Sequence, residues 1–175
     1  ANISRVVSIF WKMSFEFNSA RWGPLPLRLG LGLVMFVHGI GKLDVGPLAN
    51  GSGVAGVAGF FGSLGIPAPT LFAWLVTLVE AGGGLLLILG LLTRYMAVLV
   101  AVDMAVATLL VHLPNGFAVS DGGYELTLLL TLAAVSVALS GPGRLSLEYA
   151  LFGRELLPKS LSEMGKIEEE RPPVA

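Results

Sequence analysis

An all-α integral membrane bundle is the fold class this sequence predicts, and three observations predict it. Of the 175 residues, 54% are hydrophobic and only 13% are charged. The mean hydropathy is +0.80. Four apolar runs are each long enough to cross about 30 Å of hydrocarbon at ~1.5 Å per helical residue. Soluble domains carry about a quarter charged residues and cannot hide this much apolar surface at this length, so a soluble enzyme is excluded. The chain has no cysteine, which removes disulfides, Cys-ligated zinc or iron–sulfur sites, covalent haem and thiolate nucleophiles. Redox chemistry would need a bound cofactor or another subunit. A formal net charge of −1 gives no basis for nucleic-acid binding, which needs a dense basic surface.

The first element is an N-terminal amphipathic helix within residues 1–23. Ile3, Val6, Val7, Phe10, Met13 and Phe17 recur at helical spacing while Lys12 and Glu16 point elsewhere, the pattern of a helix lying in the interface. The membrane domain follows over residues 24–148, with spans at Leu25–Leu43, Thr70–Leu92, Tyr95–Leu113 and Tyr124–Ser140. Spans one and two open after Pro24-Leu25-Pro26 and Pro67-Ala68-Pro69, where the missing N–H of proline is tolerated in the opening turn. The first run is expected to stay in the mature protein, because it starts too far along the chain for a signal peptide and contains Arg28. Between spans one and two, Gly53, Gly56, Gly59, Gly62 and Gly65 repeat with period three. A short interfacial or re-entrant helix with a glycine edge packed on a span is the expected result. Residues 149–175 form a charged tail ending in Glu168-Glu169-Glu170-Arg171-Pro172-Pro173, composed as a solvated segment.

An up-and-down four-helix bundle places both termini on one side. Arg5, Lys12, Arg21, Arg94, Arg144, Arg154, Lys159, Lys166 and Arg171 gather there, and only Lys42 lies opposite. The positive-inside rule then puts both termini in the cytoplasm of a plasma membrane.

Ionisable residues inside a bilayer cost about 2.5–3.5 kcal/mol even on the gentler insertion scale, so each needs a partner or a purpose. Glu80 and Asp103 lie near the midplane of spans two and three. His38 and Lys42, four apart, share one face of span one. Span three ends in His112-Leu113-Pro114-Asn115 and span four opens on Tyr124-Glu125. The topology lets His38, Lys42, His112, Asn115 and Glu125 converge at the outer mouth with Glu80 beneath, a polar pocket open to the outside. In that pocket His38, Glu80 and His112 are the catalytic candidates, and Lys42, Asn115 and Glu125 the substrate-binding ones. Arg28 and Asp103 have structural or proton-handling roles: Arg28 is expected to send its stem to headgroups, with Asp103 in reach as an ion partner. His38 and His112 lie at different depths, a poor arrangement for the two axial ligands of a haem. No local spacing makes a metal site of them.

The series Leu27-Arg28, His38-Gly39-Ile40-Gly41-Lys42, Gly59-Phe60-Phe61 through Leu64-Gly65-Ile66-Pro67-Ala68-Pro69, Glu80 before a glycine run, Leu91-Leu92-Thr93-Arg94, His112-Leu113-Pro114-Asn115-Gly116-Phe117, Gly123-Tyr124-Glu125 and Gly141-Pro142-Gly143-Arg144-Leu145-Ser146 resembles the DoxX family of small bacterial and archaeal membrane proteins over roughly residues 24–148. The resemblance implies a relative of DoxD, the membrane subunit of a thiosulfate:quinone oxidoreductase that works with a small partner, DoxA. It implies a quinone as the cofactor and a membrane complex or homo-oligomer as the setting. The expected function is a quinone-linked membrane oxidoreductase or redox subunit, with thiosulfate entering near Lys42 and His112 and Glu80 carrying a proton. The alternative is a non-catalytic accessory or assembly subunit, in which the polar cluster only fixes packing. A transporter fits less well, because four spans show no inverted repeat or interrupted helix pair.

Overall fold

A computed structural model describes residues 22–156. The expected amphipathic helix over Ile3–Phe17 and most of the charged tail lie outside the described residues. Every regular element among those described is helical. Helix α1 is Pro24–Gly41, α2 is Gly53–Ser63, α3 is Pro69–Leu89 and α4 is Thr93–Asn115. They are followed by α5, Glu125–Ser140, and α6, Leu147–Phe152.

Helices α1, α3 and α4 are long and apolar enough to cross a membrane. Helix α5, the expected fourth span, is an apolar helix of 16 residues, about 24 Å at 1.5 Å per residue. It packs along α4 and α1. Leu31, Met35, Leu87, Ala97, Val100, Met104, Ala134 and Val137 from these four helices form the buried core. Outside it the helices stay apolar: Leu33, Leu71, Leu78, Leu109, Leu129 and Leu139 are all exposed. Helices apolar on every side suit a lipid solvent rather than water. The hydroxyls of Thr108 and Thr127 lie 2.9 Å apart and join α4 to α5 inside this apolar contact.

Helices α1 and α3 approach each other closely, and glycines allow it. A Cβ on Gly39 would overlap the backbone of Ala81, and one on Gly84 would overlap Phe36. The period-three glycines were expected to supply such an edge, yet in α2 Gly59 faces open space and Gly62 nears only Pro69, at 3.9 Å. One glycine at every turn-sized step does not make a packing edge unless a neighbour comes to meet it.

At the opposite end from α2, a polar clasp ties the helix termini together. Arg28, 2% exposed, donates to the carbonyls of Pro142 and, at 2.7 Å, of Leu145. Glu148, 1% exposed, accepts from the backbone N–H of Thr93 at 2.7 Å and of Leu156 at 2.9 Å. Arg94 covers the freed carbonyls of Ala138 and Leu139 at the end of α5, at 2.6 and 2.7 Å, and pairs with Glu155 at 2.9 Å. Gly90 sits in the middle with φ +69, and a Cβ there would run into the Arg28 guanidinium, so glycine is needed on both counts. Arg28 thus does not reach out to headgroups. The turn after α5 leaves carbonyls pointing inward, and a guanidinium with five donors satisfies them where water cannot.

Candidate functional site

At the other end, α1, α3, α4 and α5 part around a cavity of about 780 Å³, and α2 closes one side of it. Its wall is mostly apolar, from Met35, Val57, Phe60, Phe61, Met104 and Leu110. The polar groups on that wall are few and come from separate elements. His38 and Lys42 arrive from the last turn of α1, Glu80 from the middle of α3, Asp103 from α4, His112 from the end of α4 and Thr127 from α5.

Local backbone explains how two of these are aimed. Val79–Gly83 forms a π turn inside α3 and carries Glu80, and Thr108–His112 forms another inside α4 and ends on His112. The extra residue in a π turn widens the helix and shifts the register, and such turns gather at functional sites. The first π turn lies where the glycine contact brings α1 against α3, and Lys42 there donates to and pairs with Glu80. Glu80 is 4% exposed, so an uncompensated charge would be costly and the lysine meets that need. Replacing Gly39 by alanine is expected to force α1 away from Ala81 and lower stability by about 1–3 kcal/mol. Thermal unfolding in detergent measures this, and an unchanged midpoint would mean that the two helices have slack.

Asp103 lies near enough to Glu80 and Lys42 for each to feel its charge, and one of its oxygens, Oδ2, is buried without a hydrogen-bond partner. Arg28, taken from sequence as within its reach, is not its partner: Asp103 stands ten residues into α4, about 15 Å along the axis from the clasp.

His112 Nδ1 lies 2.7 Å from the carbonyl of Gly122. A carbonyl can only accept, so Nδ1 carries the proton in that contact. Asn115 and Glu125 do not line the cavity. Asn115 donates to Gly122 O at 3.2 Å, and Glu125 accepts from the N–H of Val119 at 3.1 Å, so both fold the connection between α4 and α5. Phe60, Phe61, Asn50, Ser52 and Thr127 on the wall were missed from sequence. Thr127 could have been found as a hydroxyl inside an otherwise apolar run; the others sit in a glycine-rich stretch whose path sequence did not reveal. Among the described residues, no three His, Asp or Glu group as a metal ion would need.

A family model described as DoxX matches residues 23–113. A Bacillus subtilis protein named "Putative oxidoreductase CatD" is 35% identical over 130 residues, covering 74% of this chain and 87% of that one. The "Uncharacterized membrane protein Rv3486" of Mycobacterium tuberculosis is 37% identical over 142 residues, covering 73% of this chain and 80% of its own length. A Haemophilus influenzae protein without an assigned role is 32% identical over 130 residues, with 72% and 88% covered. No solved structure matches the chain.

Proposed function

The chain belongs to the DoxX family of membrane proteins, and from that premise we propose that it is a quinone-linked membrane oxidoreductase, or the redox subunit of one, with the cavity as the ring-binding site. One observation carries this reading: a largely apolar cavity of about 780 Å³ in which Lys42, Glu80, Asp103 and His38 meet. Sites for organic cofactors are concave, mostly apolar and set with a few convergent polar groups, at about 300–1,000 Å³. A quinone ring fits that description, between the Phe60 and Phe61 side and the polar wall. The name of CatD supports a redox role in the same family.

A quinone, when bound, takes up two electrons and two protons. His38 orients a ring oxygen by hydrogen bonding. Lys42 holds the Glu80 carboxylate in place, and Glu80 passes a proton between the cavity and the bundle interior. The apolar wall from Met35, Met104 and Leu110 keeps bulk water from the ring. His112 stands at the mouth, where a small donor such as thiosulfate, or a DoxA-like partner subunit, would deliver electrons.

Helix α5 completes a four-span bundle in this reading, with local thinning or interfacial residues making up its length. Arg94, Arg144 and Arg154 lie at the clasp end, which faces the cytoplasm by the positive-inside rule together with both termini. The cavity then opens to the outside of a plasma membrane.

The test is quinone reduction by the purified full chain in vesicles, with thiosulfate as donor, followed as loss of quinone absorbance. Reduction above empty vesicles is the expected result. A folded chain that neither binds nor reduces a quinone would overturn the reading and leave an accessory subunit, whose polar cluster serves packing.

A further inference from the structure

Resting on the quinone reading of the cavity, we infer that Asp103 makes the site select the hydroxyl-bearing, reduced form of the ring over the carbonyl-bearing, oxidised form. The argument begins with which polar groups on the wall are already engaged. Glu80 is taken by Lys42. Thr127 gives its hydrogen to the carbonyl of Tyr124, at 3.2 Å. Asp103 lines the same cavity and keeps a buried oxygen that nothing in the chain satisfies. As a carboxylate within reach of the Lys42 charge it is a buried free acceptor on this wall, facing His38 and Lys42 at the end of α1.

A ring hydroxyl both donates and accepts, so it can give its hydrogen to Asp103 while accepting from the α1 side. A quinone carbonyl only accepts. Set against Asp103 it would put acceptor against acceptor, and the buried oxygen would stay unsatisfied, a loss larger than the mean value of a hydrogen bond made. Sites built to hydrogen-bond a hydroxyl reject analogues without one far more strongly than apolar pockets reject a change of size.

Tighter binding of the reduced form has a redox consequence. Each tenfold preference raises the potential of a bound two-electron couple by about 30 mV. The cavity therefore favours electron uptake by its ring.

The experiment is equilibrium binding to the full chain in lipid nanodiscs without oxygen, with empty nanodiscs subtracted, using menadione and its dithionite-reduced quinol as probes. The wild type is expected to bind the quinol at least about tenfold tighter than the quinone. Asp103→Leu is expected to lose the preference by weakening quinol binding while still holding the quinone, and that retained binding shows the variant is folded. Asp103→Asn, which keeps the size and offers both a donor and an acceptor, is expected to bind the two forms within about threefold of each other. Equal binding of both forms by the wild type would overturn the inference and leave the ring site standing. Tighter quinone binding, or a preference that survives Asp103→Leu, would overturn it as well. If neither form binds to the folded wild type, the quinone reading itself fails.

Discussion

Glu80→Gln is expected to cut quinone turnover by about 10²–10⁴-fold, the range a positioned proton-transfer group contributes, while the protein still folds. Gln keeps the shape of Glu80 and can accept the hydrogen bond that Lys42 now donates. It cannot carry a proton. The lysine left without its carboxylate partner is near Asp103, which can take over the charge pairing, so the cost of removing Glu80 is softened. Turnover in vesicles and thermal unfolding in detergent, measured on the same preparation, separate the two roles. A fall in turnover with an unfolding midpoint within a few degrees of the wild type is the expected pair of results. Unchanged turnover with a markedly lower midpoint would make Glu80 a packing residue and remove the proton route from the proposed mechanism.

Glu148→Ala is expected to destabilise the fold by about 3–5 kcal/mol, the cost of breaking a buried charge arrangement by removing one member. Three things are lost at once. The N–H of Thr93 that opens α4 and the N–H of Leu156 lose their acceptor, and the guanidinium of Arg28 loses the nearby negative charge that offsets it. Burial leaves no water to replace the acceptor at Thr93 or the charge beside Arg28. The clasp lies at the far end from the cavity, so the variant, where it remains folded at low temperature, should bind quinone as the wild type does. Unfolding in detergent with increasing denaturing surfactant measures the loss. A midpoint equal to that of the wild type would show that the clasp merely decorates a fold held by apolar contacts.

Three of the spans and the ionisable groups on the cavity wall were legible for one physical reason. An ionisable group in an apolar run stands out because it is expensive there, so His38, Lys42, Glu80 and Asp103 could be named before any coordinates. Helix spacing and up-and-down order brought His38, Lys42 and Glu80 together in that reading, while Asp103 was set apart from them as a partner within reach of Arg28. The clasp was not legible. Glu148 and Glu155 come after the last apolar run, where a carboxylate looks like any solvated charge, and nothing in sequence says that the chain folds back beneath the helices. Asn115 and Glu125 failed in the opposite sense. A polar residue at a loop end can bind a ligand or tie down a backbone amide, and composition does not distinguish the two. The π turns were also hidden, since Val79–Gly83 and Thr108–His112 read as continuous helix by periodicity.

The clasp also bears on how the chain is made. Arg28 finds its acceptor in Pro142, 114 positions later in the chain. At about 5–20 residues per second, the typical pace of synthesis, the arginine waits roughly 6–23 s before its acceptors leave the ribosome. Through that interval a charged side chain at the start of the first span has only water and lipid headgroups to satisfy it. It therefore keeps that end of the helix at the surface where it entered, and the newborn segment is held against turning over. When the last turn arrives, the same guanidinium is drawn inward and locks an orientation it has already helped to choose.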